Sequence, residues 1–284
     1  MRVLLAGLCT VDLVQRVDEL PAPGRKVASR SVRVAAGGPA TNAAVTVAAL
    51  GGEAVLVTAL GTHPLASLVR ADLDACGVRV SDVAKDALDP PSVSAVAVRD
   101  RDGERTVVSH NAASVSVKLG SAVLSEVQSA DAVLVDGHHP ALAMAIARAA
   151  KTEGIPLVVD AGSWKPVFAE LFPLVGEVGI IACSAQFDPP DGVLPSASTV
   201  VATAGAAPVR WWRGGRSGEV PVPKVAARDT LGAGDVWHGA LASRIGMLPL
   251  VELIEFANEV AAERVRHVGP RSWIAPVRAK MGVR

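Results

Sequence analysis

The sequence predicts an α/β protein in which helices cover both faces of a mainly parallel sheet, with a small β-sheet appended to it. Two observations predict this class. Short apolar segments of strand length alternate with helical segments along most of the 284 residues, and strands buried on both faces have this near-continuous apolar character. Other segments within the first 110 residues alternate polar and apolar positions, which is typical of strands with one face in water.

The N-terminal part of the chain is expected to supply strands to both sheets. The run Arg2–Leu8 is largely apolar and predicts a buried strand. The segments 12–20 and 26–34 alternate weakly and are interrupted around Pro21 and Pro23, so we interpret them as short edge strands. The later elements expected here are a helix at 39–50, a strand at 55–60, a helix at 64–76, and a hairpin formed by strands at 92–98 and 104–109.

The C-terminal part alternates more steadily between strands and helices, as parallel sheets require. No internal repeat or long linker interrupts this pattern, so we expect a single domain over residues 1–284. The elements expected here are strands at 132–135, 157–160, 178–182 and 199–203, a helix at 141–153, a hairpin at 209–222, and helices at 233–245 and 250–267.

Composition excludes several classes of protein. Half of the residues are hydrophobic and the formal net charge is zero, so a disordered chain is excluded and nothing favours a nucleic acid or an anionic membrane as a partner. The three cysteines are odd in number and widely spaced, which indicates neither a disulfide framework nor a zinc site. No apolar run reaches the length of a membrane span or a signal segment, and we expect a cytoplasmic protein.

One stretch carries the features of a catalytic site. Gly232-Ala233-Gly234 predicts a turn that enters an apolar helix, where small residues leave backbone N–H groups exposed at the positive end of the helix dipole. Such a turn is an anion hole suited to the charge on a phosphoryl group in transfer. Asp235 lies in the first turn of that helix and is placed to accept the proton of an attacking hydroxyl. The alternative is an ordinary glycine-rich helix start capped by an aspartate.

The longer string decides between these alternatives. Asp229-Thr-Leu-Gly-Ala-Gly-Asp235 resembles the C-terminal signature of the ribokinase-like (PfkB) carbohydrate kinases, Asp-Thr-x-Gly-Ala-Gly-Asp. Gly37-Gly-Pro-Ala-Thr-Asn42 resembles the family's N-terminal Gly-Gly-x-x-x-Asn segment, and Asp12 follows the first strand, as a sugar-binding aspartate does in the family. The early Gly37-Gly38-Pro39 and the late string Gly234–Ala240 are similar to segments of bacterial sulfofructose kinases, and Gly103–Val107 is similar to a segment of ketohexokinase.

The resemblance implies a three-layer α/β/α ribokinase-like fold whose small sheet, built from about 12–36 and 92–110, is a lid over the sugar. It also implies that the lid forms a homodimer. The substrates would be a small sugar, with a ketose or sulfosugar favoured, and ATP with Mg²⁺. A monovalent cation such as K⁺ is a further family cofactor, bound near the loop 267–272.

Site roles follow from the same resemblance. Asp235 would be the base in a direct in-line transfer, with the anion hole formed by Gly232, Ala233 and Gly234. The resemblance implies that Asp12, Gly38 and Asn42 bind the substrate, and the residues expected to bind the nucleotide are Thr203, Gly205, Thr230 and Asn258. Arg105 and His138 are added as substrate-binding candidates because of their positions on and after predicted strands.

One segment departs from the family pattern. The family carries Asn-x-x-Glu after a sheet strand, where it helps to organise magnesium and phosphate, whereas this chain has Cys183-Ser-Ala-Gln-Phe187. Only 19 positions separate Ser184 from Thr203, so we expect the helix usually found there to be missing. The ligands of magnesium cannot be assigned from the sequence.

Several candidates keep two interpretations. Arg105, on the second hairpin strand, would pair with a phosphate or sulfonate of the substrate, or lies on a solvated strand. His138, His139 and Lys165 follow strands, where α/β proteins bind ligands, or belong to ordinary loops. The rival functions are a nucleoside or sugar-phosphate kinase of the same fold, and a ligand-binding protein with weak catalysis.

Overall fold

Two β-sheets organise the part of the chain that the computed structural model describes, residues 1–111, 117, 120–194 and 198–283. The strands are β1 (Arg2–Ala6), β2 (Thr10–Val17), β3 (Ser29–Gly37), β4 (Glu53–Thr58), β5 (Val78–Asp82), β6 (Ser92–Arg99), β7 (Arg105–His110), β8 (Ala132–Val135), β9 (Leu157–Ala161), β10 (Ile180–Ser184), β11 (Thr199–Ala204), β12 (Ala207–Arg213) and β13 (Arg216–Val220). The helices are α1 (Pro39–Ala49), α2 (Pro64–Ala75), α3 (Ser121–Gln128), α4 (Pro140–Glu153), α5 (Phe168–Leu171), α6 (Ala233–Ala242), α7 (Leu250–Arg264) and α8 (Ile274–Lys280).

The large sheet has nine strands in the order β13-β12-β11-β10-β9-β8-β1-β4-β5. The strands from β11 to β5 are parallel, and β12 and β13 continue the sheet as an antiparallel hairpin. One hydrophobic core joins this sheet to α1, α2, α6, α7 and α8, and a second core joins its other face to α3, α4 and α5. The expected three-layer α/β/α fold is therefore confirmed.

The small sheet has four strands in the order β3-β2-β6-β7, with β2 parallel to β6 and antiparallel to β3. Its inner face carries Val14, Val96 and Val98, which are buried against Leu231. One end of its outer face, at Val11 and Ala36, joins the first hydrophobic core and contacts α2, whereas the part of that face at Val34 and Val108 is exposed. We name this sheet the lid sheet.

The expectation that residues 12–20 form an edge strand is wrong, because β2 lies between β3 and β6 in the lid sheet. The prolines that suggested an edge, Pro21 and Pro23, fall in the connection after β2 and not within its hydrogen-bonded ladder. A proline there removes no N–H group that the ladder needs. Only β3 has the predicted edge position.

Helices α1 and α6 pack closely, and this packing positions the candidate site. A Cβ atom built on Gly239 of α6 would lie 2.5 Å from the carbonyl oxygen of Ala43 in α1, so the two backbones meet at a distance that only glycine permits. The N-termini of both helices consequently open at the same edge of the large sheet, next to the lid sheet.

Most expected elements are present, with ends shifted by a few residues. Four elements were missed: β5, α3, α5 and α8. The described residues between β10 and β11 contain no helix, which agrees with the short spacing there. In the described part of the chain, no helix has both the length and the apolar character needed to span a membrane.

Candidate active site

The two glycine-containing motifs meet at a side-chain hydrogen bond. The amide Nδ2 of Asn42, in the first turn of α1, donates to Oδ2 of Asp235, in the first turn of α6, at 2.8 Å. The two residues are 193 positions apart in the chain. This contact holds one carboxylate oxygen of Asp235 in place and leaves the other oxygen for a reacting proton.

The turn before α6 has the geometry that the sequence predicts. Gly232 caps the helix with φ of 73°, in the left-handed region that glycine adopts without strain. A Cβ atom there would lie 3.2 Å from Nδ2 of Asn42, so a larger residue would press on the contact to Asp235.

The N–H groups of the turn are not equivalent. That of Ala233 donates to the carbonyl oxygen of Thr230 at 3.2 Å and is used within the turn. Those of Gly234 and Asp235 donate to no protein group in the described residues and lie at the positive end of α6. An anion at this helix start would therefore bind the N–H groups of Gly234 and Asp235, with Ala233 keeping the turn closed.

Asp235 has an environment that raises its proton affinity. Burial raises the pKa of Asp235 to about 6, and the nearby carboxylate of Asp160 contributes in the same direction. The hydrogen bond from Asn42 and the charge of His238 oppose this shift of the pKa. A carboxylate with a pKa close to neutral is a better proton acceptor than an ordinary aspartate.

His238 and Asp160 form a buried pair beneath Asp235. Nδ1 of His238 lies 2.8 Å from Oδ2 of Asp160, and both side chains are 5% exposed. Burial lowers the pKa of His238, but the charge of Asp160 and its hydrogen bond outweigh burial, so this pKa is raised. The pair therefore places next to the candidate base two groups that act on its pKa in opposite directions, Asp160 raising it and His238 lowering it.

Asp12 reaches the site from the lid sheet. Its carboxylate accepts a hydrogen bond from the hydroxyl of Thr10, and burial raises its pKa. The adjacent strand carries Gly37, where a Cβ atom would lie 2.0 Å from Oδ2 of Asp12, so glycine makes room for this carboxylate. Asp12, Asn42 and Gly232 line one small cavity, which brings two of the residues expected to bind the substrate next to the turn before α6.

Gly38 determines how closely α1 approaches the end of β1. It caps α1 with φ of 96°, and a Cβ atom would lie 2.4 Å from the carbonyl oxygen of Leu8. The glycine therefore lets α1 begin directly against the end of β1.

Arg105 lies on the lid strand β7 and bridges to the motif before α6. Its register partner Val98 is buried on the inner face, so Arg105 projects to the same side. Its guanidinium donates to the hydroxyl of Thr230 at 3.0 Å. Sequence analysis missed Arg33 on β3. It is the register partner of Val14 on β2 and therefore shares this inner face. Within the described part of the chain, neither arginine forms an ion pair.

The loop after β8 holds a structural carboxylate. Asp136 accepts N–H groups from Leu8 at 2.8 Å, Ala40 at 3.2 Å and His138 at 2.9 Å, which joins β1, α1 and β8. Nδ1 of His138 lies 3.2 Å from Oδ1 of Asp136, and the ring is partly exposed. The neighbouring His139 is buried at the start of α4.

The four residues expected to bind the nucleotide lie in three different places in the fold. Thr203 and Gly205 lie at the turn between β11 and β12, and Thr230 is exposed beside Arg105. Asn258 is 2% exposed; it accepts a hydrogen bond from Nε1 of Trp237 at 2.8 Å and donates to the carbonyl oxygen of Pro221 at 3.0 Å. Its side chain thus ties α7 to α6 and is shielded from solvent.

No protein cage for a metal is present in the described residues, where no group of three His, Cys, Asp or Glu side chains converges. Ser184, at the position of the missing asparagine, donates to the carbonyl oxygen of Gly162 at 2.9 Å.

Sequence analysis did not identify His238 as a site residue. The signal that could have identified His238 was its spacing of three residues from Asp235, since residues three apart share a helix face.

Comparisons with known proteins identify the family of this chain. The family model described as pfkB family carbohydrate kinase matches residues 2–277. An ATP-dependent ribose-1-phosphate kinase of Halopiger xanaduensis is 32% identical over 162 residues, which cover 57% of this chain and 54% of that protein. This chain thus matches about half the length of that relative.

Two further proteins match over nearly their whole length. The ribokinase of Bacillus subtilis is 23% identical, with 94% of each chain covered. The structure of Arabidopsis thaliana ribokinase complexed with ribose and ATP superposes with a TM-score of 0.76 at 19% identity, with 98% of each chain covered. The latter likeness establishes a shared fold.

Proposed function

Because the chain belongs to the pfkB family of carbohydrate kinases, we propose that it transfers the γ-phosphoryl group of ATP to a hydroxyl of a small sugar, with Asp235 as the base. The observation that carries this proposal is the contact of Asn42 with Asp235 at 2.8 Å, which joins the two family motifs at one carboxylate. The raised pKa of that carboxylate, about 6, suits proton transfer near neutral pH.

The sugar is proposed to lie between the lid sheet and the start of α6. Asp12 and Asn42 supply polar groups on opposite sides of this space, and both line the same cavity as Gly232. Asp12 would accept hydrogen bonds from sugar hydroxyls, and Gly38 keeps the start of α1 close enough for a ligand to reach Asn42.

The reaction is an in-line displacement. The sugar hydroxyl oxygen attacks the γ-phosphorus, its proton passes to Asp235, and the bond from the γ-phosphorus to the bridging oxygen breaks to release ADP. The N–H groups of Gly234 and Asp235, at the start of α6, stabilise the charge on the phosphoryl oxygens in transfer. No covalent phosphoenzyme is required.

The nucleotide is proposed to extend from this helix start toward Thr203 and Gly205, with Thr230 beside the phosphates. Asn258 would act indirectly, since both of its polar atoms bind protein groups that hold α6 and α7 together. Magnesium bound to ATP neutralises phosphate charge and is held mainly through waters and phosphate oxygens. The carboxylates of Asp160 and Asp136 lie close enough for their charges to raise the pKa of Asp235.

A second candidate acceptor is a sugar that already carries an anionic group, a phosphate or a sulfonate. The inner face of the lid sheet supports it, because Arg33 and Arg105 point toward the site without a carboxylate partner in the described residues. The ribose-1-phosphate kinase relative is consistent with such a substrate. Guanidinium groups bind phosphate and sulfonate oxygens in a bidentate manner.

The lid sheet is also proposed to form a homodimer. An apolar row crosses its outer face in register from Val34 through Leu13 and Ala95 to Val108. Val34, on the edge strand β3, is 49% exposed and Val108, on the opposite edge strand β7, is 71% exposed, which leaves an apolar row open unless another surface covers it. A second copy of the chain, presenting the same row, would cover it symmetrically.

The test of the proposed function is ADP release from ATP and Mg²⁺ across a panel of acceptors. The panel contains ketoses, aldoses, sulfosugars, sugar phosphates and nucleosides. ADP release with one sugar establishes the kinase and its acceptor class, and preference for a phosphorylated or sulfonated sugar supports the second candidate. Tight ATP binding with no ADP release for any member would contradict the proposal and favour a ligand-binding protein.

A further inference from the structure

The last residue of α7 is a buried arginine that lies among backbone carbonyls. Arg264 is 2% exposed. The guanidinium nitrogen Nη1 donates to the carbonyl oxygens of Asp229 at 3.3 Å and His267 at 2.9 Å. The nitrogen Nη2 donates to the carbonyl oxygen of Leu231 at 2.6 Å. Three main-chain carbonyls therefore converge on one positive charge inside the protein.

This positive charge has a carboxylate nearby that is already well hydrogen-bonded. Oδ1 of Asp229 lies 3.6 Å from Nη2 of Arg264 and accepts a hydrogen bond from the N–H of Leu231 at 3.0 Å. Oδ2 of Asp229 accepts a hydrogen bond from the N–H of Gly269 at 2.9 Å. The guanidinium of Arg16 also approaches Asp229, at 3.7 Å. Two cations share one buried carboxylate, so the positive charge of Arg264 is only partly neutralised.

The loop that follows α7 presents few free ligands to an ion. The carbonyl oxygen of Val268 accepts the hydroxyl of Ser272 at 2.7 Å, and that of Pro270 accepts Nε1 of Trp273 at 2.8 Å. That of His267 is bound by Arg264. The family resemblance implies a monovalent cation near this loop, but here each of these three carbonyls accepts a hydrogen bond from the protein, and the guanidinium of Arg264 binds that of His267 together with those of Asp229 and Leu231.

We propose that Arg264 takes the place of a monovalent cation, so that this kinase needs no K⁺. The residue is a positioning residue, since it acts on the helix start through the Asp229–Leu231 segment. The carbonyl of Leu231 belongs to the same planar trans peptide unit as the N–H of Gly232, so holding that oxygen fixes the direction of the first N–H of the turn. The catalytic part of this inference rests on the proposed function, whereas its structural part does not.

The test compares cations in rate and in thermal stability. Wild-type protein is assayed for ADP release and for melting temperature in KCl, NaCl and tetramethylammonium chloride at equal ionic strength. The same measurements are made on Arg264→Ala, which removes the cation, and on Arg264→Lys, which keeps a charge but loses the planar fork. Arg266→Ala is the matched control, since that side chain is 53% exposed and pairs with Glu263.

We expect the wild type and Arg266→Ala to show the same rate and melting temperature in all three salts. In Arg264→Ala, we expect turnover in tetramethylammonium chloride to fall at least about tenfold, as when an oxyanion stabiliser is disturbed. KCl or a low concentration of guanidinium should restore part of the turnover and of the melting temperature. A purely structural arginine would not give rescue by a small cation.

Activation or stabilisation of the wild type by K⁺ would overturn the inference, and so would an Arg264→Ala variant as active as the wild type in tetramethylammonium chloride. If Arg264→Ala does not fold, Arg264→Lys and the wild-type comparison decide the question. The failure of the proposed function is separate, because it appears as an absence of ADP release in every salt. The melting temperatures still test the role of Arg264 in that case.

Discussion

At the scale of single residues, the site depends on what surrounds one carboxylate. Asp235 is bound by Asn42 on one side and lies above the buried pair of His238 and Asp160 on the other. Its affinity for a proton is therefore a balance between burial and Asp160, which raise its pKa, and Asn42 and His238, which lower it. Removing a group that raises the pKa of Asp235 and removing one that lowers it should therefore shift this pKa in opposite directions.

Replacing the base should remove catalysis and leave the nucleotide site intact. Asp235→Asn keeps the size of the side chain but cannot accept the proton of the hydroxyl. We expect turnover to fall at least about a hundredfold, the contribution of a general base, with ATP binding retained. Calorimetric ATP titration and ADP release measure the two effects, and near-normal turnover would rule out Asp235 as the base.

The pH dependence of turnover should report the same carboxylate. Asp235 must be deprotonated to act as a base, so turnover should be level well above pH 6, reach half of that level at about pH 6 and fall further as the pH drops. His238→Gln removes a positive charge that lowers the pKa of Asp235, and the acidic limb should move to higher pH. His63→Gln, at the start of α2, is the control histidine and should leave the limb unchanged. An unchanged limb in His238→Gln would contradict the coupling.

At the scale of elements, the beginning of α6 combines a left-handed turn with a contact from α1. Gly232 meets both requirements, since it has φ of 73° and its missing Cβ leaves space for Asn42. Gly246, after the same helix, has φ of 76° but nothing within 4 Å of its Cβ position. The two glycines thus share the backbone requirement and differ in their surroundings.

Alanine at the two positions should separate strain from catalysis. Both Gly232→Ala and Gly246→Ala should destabilise the fold by roughly 1–2 kcal/mol, the cost of a left-handed alanine. Only Gly232→Ala should also reduce turnover, because its Cβ presses on Asn42. Denaturant unfolding and ADP release measure the two quantities. Equal turnover in the two variants would show that the turn does not support the reaction.

At the scale of the whole molecule, the lid sheet has two different faces. The inner face carries Asp12, Arg33 and Arg105 toward the proposed sugar site. The outer face carries the apolar row that ends at Val34 and Val108. Closing the sugar site and joining a second chain would therefore use opposite sides of the same four strands.

Charge on the outer face should separate the subunits. Val34→Lys and Val108→Lys place a lysine in the apolar row, whereas Val178→Lys places one at a position that is 54% exposed before β10. We expect the wild type and Val178→Lys to sediment as dimers and both lid variants as monomers. A monomeric wild type at all accessible concentrations would contradict the proposed dimer.

The sequence by itself determined most local features of this protein. The apolar strands, the glycine-proline start of α1 and the glycine turn before α6 depend on residues close together in the chain, and they formed where they were expected. The family signatures also lie in short segments, so the fold could be identified from them. Patterns of three or four neighbouring residues control these features, and the sequence displays those patterns directly.

Only the tertiary structure decided which of these segments meet. The contact of Asn42 with Asp235, the burial of Asn258 against α6, the central place of β2, and the carbonyls around Arg264 all join residues distant in sequence. An arginine at the end of a helix looks like an ordinary surface residue until packing buries it. Such contacts depend on how helices and sheets pack, which one-dimensional periodicity does not encode.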